Sequence, residues 1–455
     1  MSKRLELIWP NKDKVLLGLD ENGKPRWGTK EDLEPGPLVQ LEAVGETNRD
    51  NPNDLYEQGD NLLIKGDNLL ALKALEPHFT GKIKCIYIDP PFNTGNAFEH
   101  YDDGLEHTIW LSMMKARLEI LRKLLREDDG IIAVHIDERE LAYLRILLDE
   151  IFGRNNFIRQ IVVKAKAAAG VGQESFVFDI CEYLLLYGRD STFAENYMPR
   201  VVQPFDGWEE TAFDLIFLNE GKREHVNDIL GGQVGKVSVF VHSDFQVRRL
   251  SSSEHNENFF KRHLEQVFQT TNPQGGLMKR IMPQLPEKEL VSIDYVPTRG
   301  RYVGKKVTIF FYRGRIVSWL KDIANVNSEN GRLDRKTKLV NIWEENLYQG
   351  ISYEGGIYFP QSKKPERLIQ RIIEMTTKPT DWVLDSFLGS GTTAAVAHKL
   401  CRKWIGIESG EHAETLCLPR LKRVVSGKDP TGISKQASWK GGGGFRYCVL
   451  GEKPL

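Results

Sequence analysis

Ile83-Lys84-Cys85-Ile86-Tyr87-Ile88-Asp89-Pro90-Pro91-Phe92 is a short apolar run that stops at an acid, two prolines and an aromatic ring. The run has the length and apolar continuity of a buried strand. The turn after it suits one task, gripping the amino group of a flat ring. The Asp89 carboxylate accepts a hydrogen bond from the amine. Pro90 and Pro91 lack backbone N–H groups and have fixed φ angles, so the turn presents carbonyl acceptors. Phe92 offers a face for the ring to stack on. The plain alternative is a strand ending in a proline turn, and the rest of the chain decides between them.

The second signal lies far downstream. Trp382-Val383-Leu384-Asp385-Ser386-Phe387-Leu388-Gly389-Ser390-Gly391-Thr392-Thr393 reads as strand, glycine loop and helix start. Gly389 and Gly391 let the backbone turn sharply and approach a ligand. The helix from Thr392 to about Leu400 points its N-terminal amides at that ligand. Thr392 stands where a P-loop needs its lysine, which argues against a triphosphate. Lys403-Trp404-Ile405-Gly406-Ile407-Glu408 is a second short strand ending in an acid, a place that suits a ribose diol. Asp385, the glycines and Glu408 together fit an adenosyl ligand.

On these residues the chain resembles the amino-methylating DNA methyltransferases that use S-adenosylmethionine. Asp89-Pro90-Pro91-Phe92 is similar to their catalytic motif, and Phe387-Leu388-Gly389-Ser390-Gly391 to their cofactor loop. Glu408 is similar to their ribose-binding acid. Gly66-Asp67-Asn68, after the strand Leu62–Lys65, resembles the segment that touches the cofactor's adenine. Lys364-Pro365-Glu366-Arg367-Leu368 resembles the helix start lying beside the cofactor. The order, catalytic motif first and cofactor loop second with a long insert between, marks the circularly permuted β class. The resemblance implies a Rossmann-like α/β sheet, mostly parallel, with an inserted target-recognition domain.

Within that class the chain is most similar to the modification subunit of type III restriction-modification systems. Leu55-Tyr56, the run Trp110 to Leu118, Val134-His135-Ile136-Asp137-Glu138, Glu182-Tyr183-Leu184-Leu185-Leu186-Tyr187 and the tail Trp439 to Tyr447 all match its style. Phe92 departs from the family's usual Tyr, which keeps stacking and removes a hydroxyl. The resemblance implies methyl transfer from S-adenosylmethionine to adenine N6 in double-stranded DNA, after base flipping. An acid opening the catalytic turn favours adenine over the cytosine-N4 enzymes, which commonly carry Ser there. An inactive methyltransferase-like DNA-specificity subunit is the alternative from another class. The resemblance also implies a homodimer and a nuclease/helicase restriction subunit as partners.

Four segments follow from the pattern. Residues 1–54 are polar and turn-rich, with Asn22-Gly23-Lys24-Pro25 and Pro35-Gly36-Pro37, and read as an N-terminal arm. Residues 55–190 alternate strand and helix as the catalytic half. The helix from about Thr108 to Arg126 carries Trp110, Met114, Leu118, Leu121 and Leu125 on one stripe. Residues 191–345 lose the alternation and form the target-recognition domain. Residues 346–455 return to it as the cofactor half and C-terminal strand. The sheet closes only if Val383–Asp385 lies beside Ile83–Ile88, which puts Asp385 and Asp89 on the carboxyl ends of neighbouring strands.

Net charge is −1, with 40% apolar and 27% charged residues, so the whole chain is no basic nucleic-acid binder. The local balance differs: residues 244–321 hold fourteen Lys or Arg against seven Asp or Glu. Arg248-Arg249, Lys279-Arg280 and Lys305-Lys306 sit there among Phe245, Phe259, Phe260, Tyr295, Tyr302 and Tyr312. Phosphate contacts need such cations; a solvated face of mixed charge is the bland alternative. Five scattered cysteines without a C-x-x-C pair fit a reducing cytosol and no structural zinc. Neither a signal peptide nor a membrane span is expected. His135 and Trp110 read as packing residues, and Asp137-Glu138 as a helix start.

Overall fold

The computed structural model describes residues 5–21, 24–47, 56, 59–93, 97–98, 101–102, 105–166, 179–190, 201–204, 212–298, 303–326, 331–337, 340–345, 347–348, 350–359 and 363–451. The Asn22-Gly23 turn, Leu55, Tyr302 and residues 191–200 at the start of the insert lie outside them. The chain divides into two units, Met1–Pro199 with Val340–Leu455, and Arg200–Leu339.

A ten-stranded sheet forms the centre of the first unit. Its strands are β1 (Leu38–Gly45), β2 (Asn61–Lys65), β3 (Cys85–Ile88), β4 (Ile131–Ile136), β5 (Phe157–Lys164), β6 (Cys181–Gly188), β7 (Ile342–Trp343), β8 (Trp382–Asp385), β9 (Lys403–Glu408) and β10 (Gly444–Leu450). They lie in the order β7-β5-β6-β4-β3-β8-β9-β2-β10-β1. The six from β4 to β10 are parallel. β6 runs antiparallel to both neighbours, and β1 antiparallel to β10.

The sequence explains this layout. All four residues of β3 and all six of β4 are buried, because helices cover both faces of a parallel sheet and no polar face remains. β1, at the edge, alternates, with Val39, Leu41 and Ala43 outward. The helices are α1 (Asn68–Phe79), α2 (His107–Leu124), α3 (Glu138–Leu148), α4 (Glu366–Thr376), α5 (Thr392–Lys399) and α6 (Leu418–Val425). Asp67 caps α1 by accepting from the amides of Leu69 and Leu70, and Asp137 caps α3 through Arg139 N. α2 buries Trp110, Met114, Leu118 and Leu121, the stripe expected from its 3.6-residue period. These side chains join Leu62, Ile86, Val134 and Leu384 in one apolar core.

Two boundaries differ from expectation. Residues 38–45 are not part of an appended arm, since β1 extends the sheet and Trp9 packs into the core and donates its indole N–H to Ser112 Oγ at 2.8 Å. The insert expected at 191–345 is the unit Arg200–Leu339, since Ile342–Trp343 pairs in the first unit's sheet as β7. The decisive pairing is the expected one. Val383 lies opposite Cys85 and Leu384 opposite Ile86, so β8 and β3 are parallel neighbours.

The second unit is built differently. An eight-stranded antiparallel sheet passes from Lys222–Leu230 through Lys236–Ser243, Leu290–Tyr295, Val307–Tyr312, Arg315–Trp319, Val267–Thr271 and Leu215–Asn219 to Gln246–Arg249. It has apolar clusters of its own, one around Val237, Val239, Ile293 and Phe311 and another around Phe217, Phe268 and Tyr312. Among the described residues no helix is long and apolar enough to cross a membrane.

Candidate active site

Asp89 follows β3 and Asp385 ends β8, at the sheet edge where parallel strands leave their ligands room. A cavity of about 450 Å³ opens there, lined by both the proline turn and the glycine loop. Asp89, Pro90, Pro91 and Phe92 all face it. So do Asp67, Asn68, Lys364, Asp385, Phe387, Gly389, Thr392 and Glu408. Pro365 and Gly391 do not: Pro365 stands before the first turn of α4, and Gly391 sits at φ 80° as the left-handed residue that starts α5.

The proline turn is braced from both sides. Trp110 Nε1, inside α2, donates to the Pro91 carbonyl at 2.8 Å. Asn93 adopts φ 59° and donates to Glu140 Oε1 at 2.8 Å, while His107 Nδ1 lies 2.9 Å from the same oxygen. Two prolines and two anchored flanks leave the turn little freedom.

The glycine loop is shaped by the acids beside it. Asp385 is buried, its Oδ1 accepting from Phe387 N at 2.9 Å and its Oδ2 from Thr393 Oγ1 at 2.6 Å. Burial outweighs these donors and pushes its carboxyl up to about 7. Glu408 Oε2 accepts from Gly389 N at 2.7 Å, and Oε1 from the amides of Ser409 and Gly410. Burial works against its charge, but His412 and these amides outweigh burial and hold the carboxyl below its ordinary value. Asn68 donates to Ser386 O at 2.7 Å and accepts from Arg117 Nε at 2.5 Å, which ties the start of α1 to the loop after β8.

A buried charge cluster backs Asp89. Lys364 Nζ lies 3.4 Å from Asp89 Oδ1 and 2.8 Å from Glu182 Oε2. Tyr348 donates to that Glu182 oxygen at 2.6 Å, and His135 Nε2 lies 2.8 Å from it. Tyr87 OH is 3.1 Å from His135 Nδ1, and the His135 ring stacks at 6.1 Å on Phe92. Burial opposes the charge on Glu182, yet Lys364 and His135 hold its carboxyl well below the usual range. For Asp89 burial wins and raises the carboxyl, against Lys364 and His135.

His135 and Trp110 are therefore more than packing residues, and Glu182, Arg117 and Tyr348 join the site without having been singled out by their chemistry. One signal marks Glu182 and His135: each is a polar residue inside or beside an apolar strand, near the end that reaches the cavity. The strand of Glu182 is antiparallel, so it is the first residues of β6 that reach that edge. The six expected DNA-contacting cations, Arg248, Arg249, Lys279, Arg280, Lys305 and Lys306, belong to the second unit. Three of them are engaged. Arg248 binds Glu254 through both terminal nitrogens, Arg249 lies 3.8 Å from Asp214, and Lys306 lies 2.8 Å from Asp294.

Comparison with known proteins agrees with this geometry. The family model described as "DNA methylase" matches residues 83–417. The chain is 37% identical over 429 residues to the "Probable type III restriction-modification enzyme HindVI Mod subunit" of Haemophilus influenzae, covering 90% of this chain and 56% of that protein. It is 34% identical over 427 residues to the type III restriction-modification enzyme EcoP15I Mod subunit of Escherichia coli, covering 82% of this chain and 60% of that one. The chain thus spans a little over half the length of these relatives. A solved complex of M1.HpyAVI with SAM aligns over 79% of this chain and 98% of its own at 13% identity and a TM-score of 0.35, an overlap too loose to carry weight.

Proposed function

The chain belongs to the DNA methylase family, and from that premise we propose that it methylates the N6 amino group of adenine in double-stranded DNA. One observation carries the reading: a single cavity is lined by an acid–proline–proline–aromatic turn and by a glycine loop with flanking acids, on adjacent parallel strands.

The residues suit S-adenosylmethionine. Glu408 ends β9 beside the Gly389 amide, at the height of a ribose diol, and Asp385 is an acid placed for the methionyl amine. Ser386 Oγ, buried at the cavity wall, has no hydrogen-bond partner among the described residues and awaits one. Asp67 and Asn68 lie where the adenine of the cofactor would rest. The cofactor supplies a methyl group on a sulfonium, a leaving group that is already cationic.

The chain's own residues do the rest. Asp89 and the Pro90 carbonyl hold the two hydrogens of the target amine, which draws its lone pair out of the ring. Phe92 stacks on the flipped base, and base–aromatic stacking of about 1–3 kcal/mol offsets part of the cost of flipping. Braced by Trp110 and Glu140, the turn aims the nitrogen at the methyl carbon, and this orientation is the main contribution to rate. The unit Arg200–Leu339 reads the DNA sequence, with Lys279, Arg280 and Lys305 on phosphates. The protein works in the cytoplasm as the modification subunit of a type III system, as a homodimer and with a restriction subunit.

The test is to incubate DNA with the protein and methyl-labelled S-adenosylmethionine, digest it, and identify the labelled nucleoside by mass spectrometry. N6-methyladenine is expected, and Asp89→Ala abolishes it while cofactor binding by calorimetry persists. Label in N4-methylcytosine sinks the adenine assignment. Cofactor binding with no labelled nucleoside on any DNA points to the inactive specificity subunit.

A further inference from the structure

Resting on the methyl-transfer reading above, we infer that Lys364, anchored by Glu182, is a positioning residue for Asp89 rather than a cofactor ligand. The resemblance of Lys364-Pro365 to a cofactor-side helix start suggests the second role; the distances point to the first.

Lys364 Nζ is bracketed by two acids, Asp89 Oδ1 at 3.4 Å and Glu182 Oε2 at 2.8 Å, and its side chain is buried. Glu182 in turn is held by Tyr348 at 2.6 Å and by His135 at 2.8 Å. His135 is itself placed by Tyr87, whose hydroxyl lies 3.1 Å from its Nδ1. Residues of β4 and the 348 turn thus hold Glu182, and Glu182 holds the ammonium that faces the one carboxylate assigned to the substrate amine. Lys364 also stands 4.6 Å from the centre of the Phe92 ring. A single cation thus fixes both halves of the amine grip, the acceptor and the stacking face. The second acid is what makes this work. A lysine paired with Asp89 alone would form a direct ion pair and neutralise the acceptor; Glu182 takes the shorter contact and leaves Asp89 the looser one.

The groups that face Asp89 set the sign of the test. They are Lys364 and His135, which favour its charge, and Glu182 and Asp385, which oppose it; the nearby Tyr87 and Tyr348 hydroxyls are neutral where a carboxyl titrates. Asp89 must be ionised to accept from the amine, so the rate falls on the acid side of its titration. Removing Lys364's charge moves that limb to higher pH. Removing Glu182's charge moves it to lower pH. Generalised damage to the fold moves neither limb in a defined direction.

The experiment is single-turnover methylation against pH for the wild type, Lys364→Met, Glu182→Gln and Lys364→Arg, with S-adenosylmethionine affinity by calorimetry. We expect Lys364→Met to lose about a hundredfold in rate near neutrality, as misplaced reacting groups do, with its acid limb displaced upward. Glu182→Gln is expected to move the limb downward, Lys364→Arg to recover part of the rate, and cofactor affinity to stay within about threefold, under one hydrogen bond's worth. A parallel 13C-carboxyl titration of Asp89 by NMR reads the same displacements without turnover. Limbs and carboxyl midpoints that coincide with the wild type in both charge-removing variants overturn the inference, as does a large loss of cofactor affinity in Lys364→Met. A wild type that methylates no DNA overturns the functional reading instead, and the carboxyl titration then still decides the role of Lys364.

Discussion

Asp385 carries a carboxyl that burial pushes up to about 7, although Thr393 and the Phe387 amide both donate to it. Folding favours its neutral form, so its contribution to stability is whole below the ordinary value of 3.8 and is lost as pH rises through about 7. Cofactor binding has the opposite sign, because an ammonium group placed on Asp385 prefers the carboxylate. Below about 7 a proton must leave before the ligand is held, and affinity should fall roughly tenfold per pH unit at most. Calorimetric titrations on either side of neutrality should show S-adenosylmethionine binding strengthening with pH in the wild type; Asp385→Asn should bind more weakly and without that slope. A second residue-scale outcome concerns Trp110. Trp110→Phe keeps an aromatic in the core and removes the donor to Pro91 O. A loss of about 1 kcal/mol in turn stability is expected, seen as a slower transfer rate at unchanged cofactor affinity; a wild-type rate would show that the turn holds itself. Asp89, Asp385 and Glu408 were legible in the sequence because each closes an apolar run. Trp110, Arg117, His135 and Glu182 were not, because an aromatic on a helix stripe or a polar residue in a strand packs in most proteins, and only the third dimension shows what it meets.

At the scale of elements, a buried ionic knot joins the helices beneath the glycine loop. Glu366 of α4, Lys399 of α5 and Arg420 of α6 are fully buried together with Asp429. Lys399 Nζ lies 2.8 Å from both Glu366 Oε2 and Asp429 Oδ2, and Arg420 donates to Glu366 Oε1 at 2.8 Å. Arg420 also donates to Ser390 O at 3.1 Å and Thr392 Oγ1 at 2.8 Å, so the knot grips the loop from below. Removing one partner of such a network leaves an uncompensated buried charge. Glu366→Ala should therefore cost about 3–5 kcal/mol in urea unfolding and weaken cofactor binding as the loop loosens. A loss well under 1 kcal/mol would mean that water or Asp429 replaces the missing acid. The helices and strands around the cavity were readable from apolar period and turn residues to within a few positions, whereas β1 was hidden in a polar, turn-rich stretch. The knot was not, since its members come from three helices and a loop and nothing in their local sequence ties them together.

At the scale of the whole molecule, the second unit has its own sheet and its own apolar clusters. Its cations are unequal. Arg248 is held by Glu254 at 2.8 and 2.7 Å, whereas among the described residues no acid pairs with Lys279, Arg280 or Lys305. Reversing Lys279 and Arg280 should lower affinity for every DNA sequence and flatten its salt dependence by about one unit of slope per lost phosphate contact. Arg248→Ala should change little by comparison. Equal slopes in all variants would return these residues to an ordinary solvated face. The insert's separateness was legible as a break in strand–helix alternation; its antiparallel order was not, because long-range pairing leaves no local mark. The adjacency of β3 and β8 carries a further consequence, for biosynthesis. β3 is made early and β8 almost three hundred residues later, yet they share a seam at the middle of the sheet. Until residues 382–450 emerge, β3 lacks its neighbour β8 and β2 lacks both β9 and β10. The nascent chain must carry these unpaired, largely apolar strand edges through the synthesis of an entire second unit, the condition under which intermediates aggregate. Slow closure of this seam should make the yield of active protein depend on temperature and chaperone supply more than on the stability of the finished fold.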